Sequence, residues 1–247
     1  MAVMATVLSK VDEISQVLRT EILQGQYRAG ERLPSERELA SRFESNRGAI
    51  REALKRLEQM GIAEITRGGV RVLPVEDANL EVIGHLLELG DDATKLELMG
   101  QILAVLGSMM ALSARSAINQ GTDQQLEEIA GLISQLIEAD DPGKREECWM
   151  ALGEKLMSVH HNLVLRLVGN SLRTQFIGKV TEMDAEPDLD HAALHQELVR
   201  LRDAVIARDP RAASAALTHH FQIIINGINA LSQPGEPAET LRNVSHV

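Results

Sequence analysis

Arg47, Arg51 and Lys55 recur every fourth residue within the stretch Leu33 to Arg56, which reads LPSERELASRFESNRGAIREALKR. At about 3.6 residues per helical turn this spacing puts the three cations on one face. Arginines near the start of a helix can bind phosphate oxygens and the edge of guanine together. A few residues on, Thr66-Arg67-Gly68-Gly69 offers an arginine on a glycine turn, slim enough to follow a nucleic-acid backbone or enter a minor groove. The alternative for the first row is a solvated helix face in which Arg47, Arg51 and Lys55 pair with Glu44 and Glu52.

The elements that must carry these groups are legible around them. Val11, Ile14, Leu18 and Ile22 share one side of a helical wheel, with Gly25 and Gly30 near Tyr27 closing that helix. Ser35 and Glu38 form an S-x-x-E capping box for a second helix, whose Leu39 and Phe43 face inward. A third helix starts at Ser45 or Asn46, buries Ile50, Leu54 and Leu57, and ends at Gly61. IAEI, the glycine turn and VRV then give two short strands. Three helices followed by a ribbon make a winged helix-turn-helix. A cap, a cationic row and a glycine wing in this order make an ordinary solvated face a poor explanation.

The 247-residue chain has a net charge of −11, unpromising for a nucleic-acid binder until it is divided. Residues 1–75 hold 12 Lys or Arg against 10 Asp or Glu, so the acidic excess lies in the remainder. The local field, rather than the total charge, decides what approaches one face. The composition shift near Leu73 to Asn79 sets the expected domains: a DNA-binding domain at 1–75, a helical effector-binding and dimerisation domain at 76–232, and a flexible tail at 233–247. The single cysteine, Cys148, excludes an internal disulfide and a cysteine zinc cluster, and is expected to pack with Trp149. With no apolar run long enough to span a bilayer, no signal pattern and one cysteine, a cytoplasmic protein without membrane contact is expected.

The N-terminal motif resembles the DNA-binding domain of the GntR family of bacterial transcription regulators. The residues that carry the likeness are Ile22, Gly25, Gly30, Leu33 to Ala40, Phe43, Arg47, Ile50, Arg51 to Leu54, Leu57, Gly61, Gly68 and Gly69. The resemblance implies DNA contacts from Arg37, Arg47, Arg51 and the wing residues Arg67, Gly68 and Gly69, with Ser35, Ser45 and Asn46 as secondary contacts. Gly48 departs from a family that often carries Thr or a larger polar side chain there.

Beyond residue 76 the pattern is helical almost throughout, with helices expected near 79–90, 94–119, 123–139, 143–168, 170–183, 190–208 and 210–232. Short connections between them imply an antiparallel bundle. The fold class is therefore mostly α, a winged helix-turn-helix with a two-stranded wing followed by an antiparallel bundle of six or seven helices. The segments HNLVLRLVGNSL (His161 to Leu172) and ELVRLRDAVIARD (Glu197 to Asp209) with ASAALTHHF resemble the FCD ligand-binding domain of the FadR subfamily. Many such domains bind a divalent metal through an Asp and three His. Here His161 and His220 match two ligand positions, while Met157 and Leu198 occupy the other two.

Met and Leu are poor ligands for such ions, so no metal or other cofactor is expected. A rearranged site would draw on Glu154, His161, His195 and His220. The segment 99–112, MGQILAVLGSMMAL, has no arginine to hold a carboxylate. An apolar effector pocket is expected instead, from Ile102, Leu106, Met109, Met110, Met157, His161, Leu163, Leu198 and His220, suited to a fatty acid or acyl thioester. His160 and His219 are expected to be exposed or at an interface. The leading expectation is a homodimeric regulator, a repressor, which binds a palindromic operator and answers to a small effector. The alternative, from another class, is a helical-bundle metal-dependent enzyme built on Glu154, His161, His195 and His220.

Overall fold

The computed structural model describes residues 9–159, 162–180 and 187–231. By its internal contacts the chain divides into two compact units between Lys95 and Leu96. That division falls later than the composition shift near residue 75.

In the first unit, α1 (Lys10–Leu23) begins at a capping box between Ser9 and Asp12 and buries Ile14, Leu18 and Ile22. Helix α2 (Glu36–Arg42) begins at the expected box, where the Ser35 amide donates to Glu38 Oε2 at 2.8 Å. Of the two candidate starts for α3 (Arg47–Gln59), Asn46 is the cap, its Oδ1 accepting from the Ala49 amide at 2.9 Å. Between α2 and α3, Glu44 takes the left-handed conformation at φ 47°, which costs an ordinary residue strain. Helix α3 buries Ile50, Ala53, Leu54 and Leu57 and packs chiefly against α1.

Gly61 is left-handed at φ 77°, and any Cβ there would stand 3.0 Å from the Asp77 carbonyl, so turn and close approach both demand glycine. Strands β1 (Ala63–Thr66) and β2 (Gly69–Val72) pair antiparallel with Ala63 opposite Val72 and Thr66 opposite Gly69. A single 3-10 turn at Val75–Asp77 leads to α4 (Glu81–Leu89), which touches α1.

The second unit comprises most of α5 (Asp92–Gln120), then α6 (Asp123–Glu138), α7 (Pro142–Val159), α8 (Leu163–Val180), α9 (His191–Ile206) and α10 (Pro210–Leu231). Helix α9 packs against both α6 and α10, and α6 packs against α7. The core includes Ala114, Ala117, Ile129, Ile133, Leu136, Leu152, Leu156, Leu201 and Leu217. The helix expected at 143–168 is two helices: α7 ends at Val159, and Asn162 caps α8 through the Leu165 amide at 3.0 Å. Gly169, expected as a break, lies inside α8. A Cβ there would sit 3.0 Å from Met157 Sδ, so it serves close packing.

Helix α5 corrects one expectation. An 18-residue window in it has mean hydropathy 1.5, long and apolar enough to cross a bilayer by length and composition alone. Ala111, Ala114, Ala117 and Ile118 of this helix are nonetheless buried in the bundle core, which accounts for part of that apolar surface. The tail expected at 233–247 lies outside the described residues.

At Gly107, α5 lies close against α10: a Cβ there would stand 2.7 Å from both Cβ and Cγ of Phe221. Those atoms sit close to the α10 backbone and cannot swing aside. We expect Gly107→Ala to destabilise the helical unit by about 1–3 kcal/mol net, outweighing its gain in helix propensity. A lowered urea midpoint checks this, and an unchanged midpoint contradicts it.

Candidate functional site

The cationic row stands where the helical period requires. Arg37, Arg47, Arg51 and Lys55 are exposed on α2 and α3, opposite the buried stripe of α3. Two ion pairs hold the unit behind this face. The buried Glu21 of α1 accepts from both terminal nitrogens of Arg42, Nη1 at 2.9 Å, and Arg42 lies over the Phe43 ring at 4.9 Å. Asp12 pairs with Arg56 of α3, and the Ser9 hydroxyl together with Arg56 holds its carboxyl down at about 2. Arg42 and Arg56 therefore anchor α2 and α3 to α1, and neither belongs to the exposed row.

Arg51 is engaged in a way that its sequence neighbours do not suggest. Its Nε donates to both carboxylate oxygens of Glu36, each at 2.9 Å, linking α3 to the first turn of α2 and raising the guanidinium pKa. Only the Nε edge is occupied, so the two terminal nitrogens keep their donors. Lys55 pairs with Glu52 at 2.9 Å, the one pairing from the solvated-face alternative that is found. Among the described residues no ion pair or hydrogen bond engages the Arg47 side chain. Ser35 and Asn46 spend their side-chain oxygens on helix caps, while Ser45 is half-buried. Gly48 sits beside the cap, where a Cβ would stand 3.1 Å from Asn46 Oδ1.

Arg67, Gly68 and Gly69 form the exposed tip of the wing, held by Thr66 Oγ1, which donates to the Gly69 carbonyl at 2.9 Å. Sequence reasoning overlooked two arginines beside it. The segment Gly30 to Leu33 bonds along β2, placing Arg32 opposite Arg71, and both are exposed. Their signal was present in the alternation of GVRV, although four residues of alternation make a weak pattern.

In the helical unit the expected pocket residues separate. Ile102, Leu198 and His220 are buried; Leu106, Met109, Met110 and Met157 are half-buried. Leu163 is 67% exposed at the start of α8 and does not line an interior pocket. His161 and His160 lie outside the described residues, and His219 is exposed. Met109 and Met157 meet at Gly169, while Met110 lies near Gly153. Small residues facing flexible thioethers make a readily reshaped interior.

His220 belongs to an aromatic cluster, its ring centroid 4.8 Å from Trp149 and 6.0 Å from Phe221. Burial lowers its pKa to about 4 against the opposing backbone bond at Leu194, and its buried Nδ1 has no partner among the described residues. Glu154 and His195 are exposed, so they do not join His220, and no three metal-ligating side chains converge among the described residues. A separate open groove of about 470 Å³ between α9 and α10 is lined by Glu197, Arg200, Asp203, His219 and a floor of alanines. Cys148 is buried in the core.

A family model described as bacterial regulatory proteins, gntR family, matches residues 10–72, and a model of the FCD domain matches residues 101–223. The chain belongs to the GntR family. It is a GntR transcription regulator with an FCD effector-binding domain, not an enzyme, so the metal-dependent enzyme is set aside. Its relatives include an uncharacterised HTH-type transcriptional regulator of Mycobacterium tuberculosis, 28% identical over 212 residues and covering 84% of this chain and 85% of the relative. The Uxu operon transcriptional regulator of Escherichia coli is 26% identical over 85% of this chain and 83% of its own. The repressor NanR of Citrobacter rodentium is 26% identical over 90% of this chain and 85% of its own. A solved structure of Lar, described as controlling expression of the Listeria monocytogenes agr system, shares the fold at TM-score 0.53 and 14% identity, covering 92% and 99% of the two chains.

The His220 environment gives this GntR regulator a defined acid response. A histidine whose folded pKa is depressed to about 4 adds stability that is fully present above its ordinary value of 6.5 and is lost as pH falls from there toward 4. We expect the helical unit to lose about 3 kcal/mol across that window. His220→Phe should flatten this part of the profile in urea titrations at successive pH values. An equally steep profile in the variant contradicts the assignment.

Proposed function

We propose that this GntR regulator binds a palindromic operator as a homodimer and that a small lipophilic effector, a fatty acid or acyl thioester, controls it as a repressor in the cytoplasm. The N-terminal domain, 1–75, reads DNA, and residues 76–232 hold the effector and the dimer contacts. The observation that carries the reading is the exposed row of Arg47, Arg51 and Lys55 on a helix whose opposite stripe is wholly buried. Arg47 and the terminal nitrogens of Arg51 are the groups offered to base edges and phosphates, with Arg37 and the Arg67 to Gly69 tip beside them. Ser35, Ser45 and Asn46 contribute backbone and remaining polar atoms. A two-fold axis would present two such helices to two half-sites.

Apolar Ile102 and Leu198 and the flexible Met109, Met110 and Met157 favour an aliphatic ligand over a small polar acid. The unpartnered Nδ1 of His220 supplies one polar point of recognition. The effector must bind the DNA-competent and DNA-incompetent states with different affinity to act at all.

Fluorescence anisotropy of the protein on a duplex from the region upstream of its own coding sequence tests the core of this proposal. We expect Arg47→Ala and Arg51→Ala each to weaken binding by about 5- to 150-fold. Unchanged affinity in both removes the recognition face. A fatty acid or acyl thioester should shift the same isotherm, whereas a stoichiometric metal holding a polar acid in the helical domain overturns the lipophilic choice.

A further inference from the structure

The groove between α9 and α10 lies apart from the interior proposed to hold the effector. Leu198 and His220 are buried in that interior, whereas Glu197 and His219, one position earlier on each helix and so turned by about 100°, line the groove. The two helices are joined through the turn at Ala207 to Asp209. Glu197 and His219 therefore stand at one end of the groove, and Ala207, Asp209 and Ala212 at the other. At roughly 1.5 Å per residue, about 15 Å of α9 separates Glu197 from Ala207. Ala204, Ala207, Ala212, Ala215 and Ala216 form an apolar floor along that length, beneath a cavity of about 470 Å³.

Glu197 gives this groove a chemical demand. It is only 7% exposed, a rare position for an acid. Arg200 Nη1 donates to its Oε1 at 2.6 Å, and His219 Nδ1 stands 4.0 Å from that same oxygen. Both cationic neighbours thus address one atom. The other, Oε2, is buried and has no hydrogen-bond partner among the described residues, although a carboxylate oxygen taken out of water calls for a donor. The remaining charges along the groove are accounted for. Asp203 is paired with Arg202 Nη2 at 2.9 Å, and Arg208 is drawn to Asp123 of α6. Asp209 Oδ1 accepts from the Arg211 amide at 2.9 Å and the Ala212 amide at 3.0 Å, bonds that leave its negative charge in place. Among the described residues no ion pair engages Asp209. The groove therefore offers an unmet carboxylate oxygen at one end, an uncompensated carboxylate at the other, and methyl groups between them.

We propose that this groove is a binding site for an extended aliphatic polyamine, with one terminal ammonium donating to Glu197 Oε2, the other lying at Asp209, and the methylenes resting on the alanine floor. An ammonium carries three donors and no acceptor, which is what an orphaned carboxylate oxygen requires. Arg200 keeps its bond to Oε1, so the ligand completes the carboxylate rather than displacing its partner. A phosphate or carboxylate ligand would meet two like charges. A bare metal ion would find no three converging ligands among the described residues. Length supplies the selectivity, because only a chain that spans the groove reaches both ends.

Isothermal titration calorimetry of the full chain, with spermine as the injected probe, tests the site. Wild type should bind one spermine per chain, about tenfold or more tighter than putrescine, which is too short to reach both ends. Glu197→Gln keeps the shape and removes the charge, and Ala215→Leu fills the floor from an exposed helix position. Each should weaken spermine by about tenfold or more. Asp209→Asn retains an oxygen for the helix cap and should narrow the gap between spermine and putrescine. Glu147→Gln, an exposed acid on α7, should leave the isotherm unchanged and so controls for diffuse attraction to an acidic chain. Equal weakening by Glu147→Gln and Glu197→Gln overturns the site, as does wild-type affinity in both Glu197→Gln and Ala215→Leu. Absence of saturable spermine binding by wild type overturns it as well. No DNA is present in the measurement, so this site and the operator proposal stand or fall separately.

Discussion

Everything in the N-terminal unit depends on how α3 is buried. Ile50, Ala53, Leu54 and Leu57 take the side that faces the core, and the helical period leaves Arg47, Arg51 and Lys55 nowhere to go but outward. Glu21 and Asp12 of α1 reinforce that choice by drawing in Arg42 and Arg56, the two arginines that sit on the wrong side for DNA. Rolling α3 about its axis would break the Asp12–Arg56 pair and expose leucine. Packing and ion pairing thus specify the same orientation, and that agreement presents a cationic face from a chain that is acidic overall.

Within that face the arginines differ. Arg51 is held by Glu36 across the helix-turn-helix, which limits the rotamers it must give up on meeting DNA. The cost is an acid at the interface whose attraction DNA has to replace. The pair is largely exposed, so solvent and salt already weaken it. Arg47 has no such tether among the described residues. In the helical unit, His220 is kept neutral by burial among Trp149 and Phe221.

Local signals were legible in the sequence and tertiary ones were not. The Ser35–Glu38 box, the buried stripe of α3 and the glycine turn of the wing each depend on residues a few positions apart, and each is found in place. Glu36 and Arg51 are far enough apart that only the folded turn brings them together, so neighbours in sequence were the wrong partners to consider. Gly169 reads as a helix break because glycine usually is one, yet Met157 packs against it and the helix runs through. Leu163 has the composition of a pocket residue, but Asn162 starts the helix there and leaves it in solvent. The match of His220 to a ligand position gave no hint of its aromatic surroundings.

The central claim is that the outer face of α3 is the surface that meets DNA. Arginine-selective labelling of the intact protein, read by mass spectrometry with and without the upstream duplex at saturating concentration, tests it directly. Arg47 and Arg51 should be protected by DNA, while the exposed Arg115 and Arg211 of the helical unit react equally in both states. Equal labelling of Arg47 and Arg51 in the bound and free protein would contradict the account.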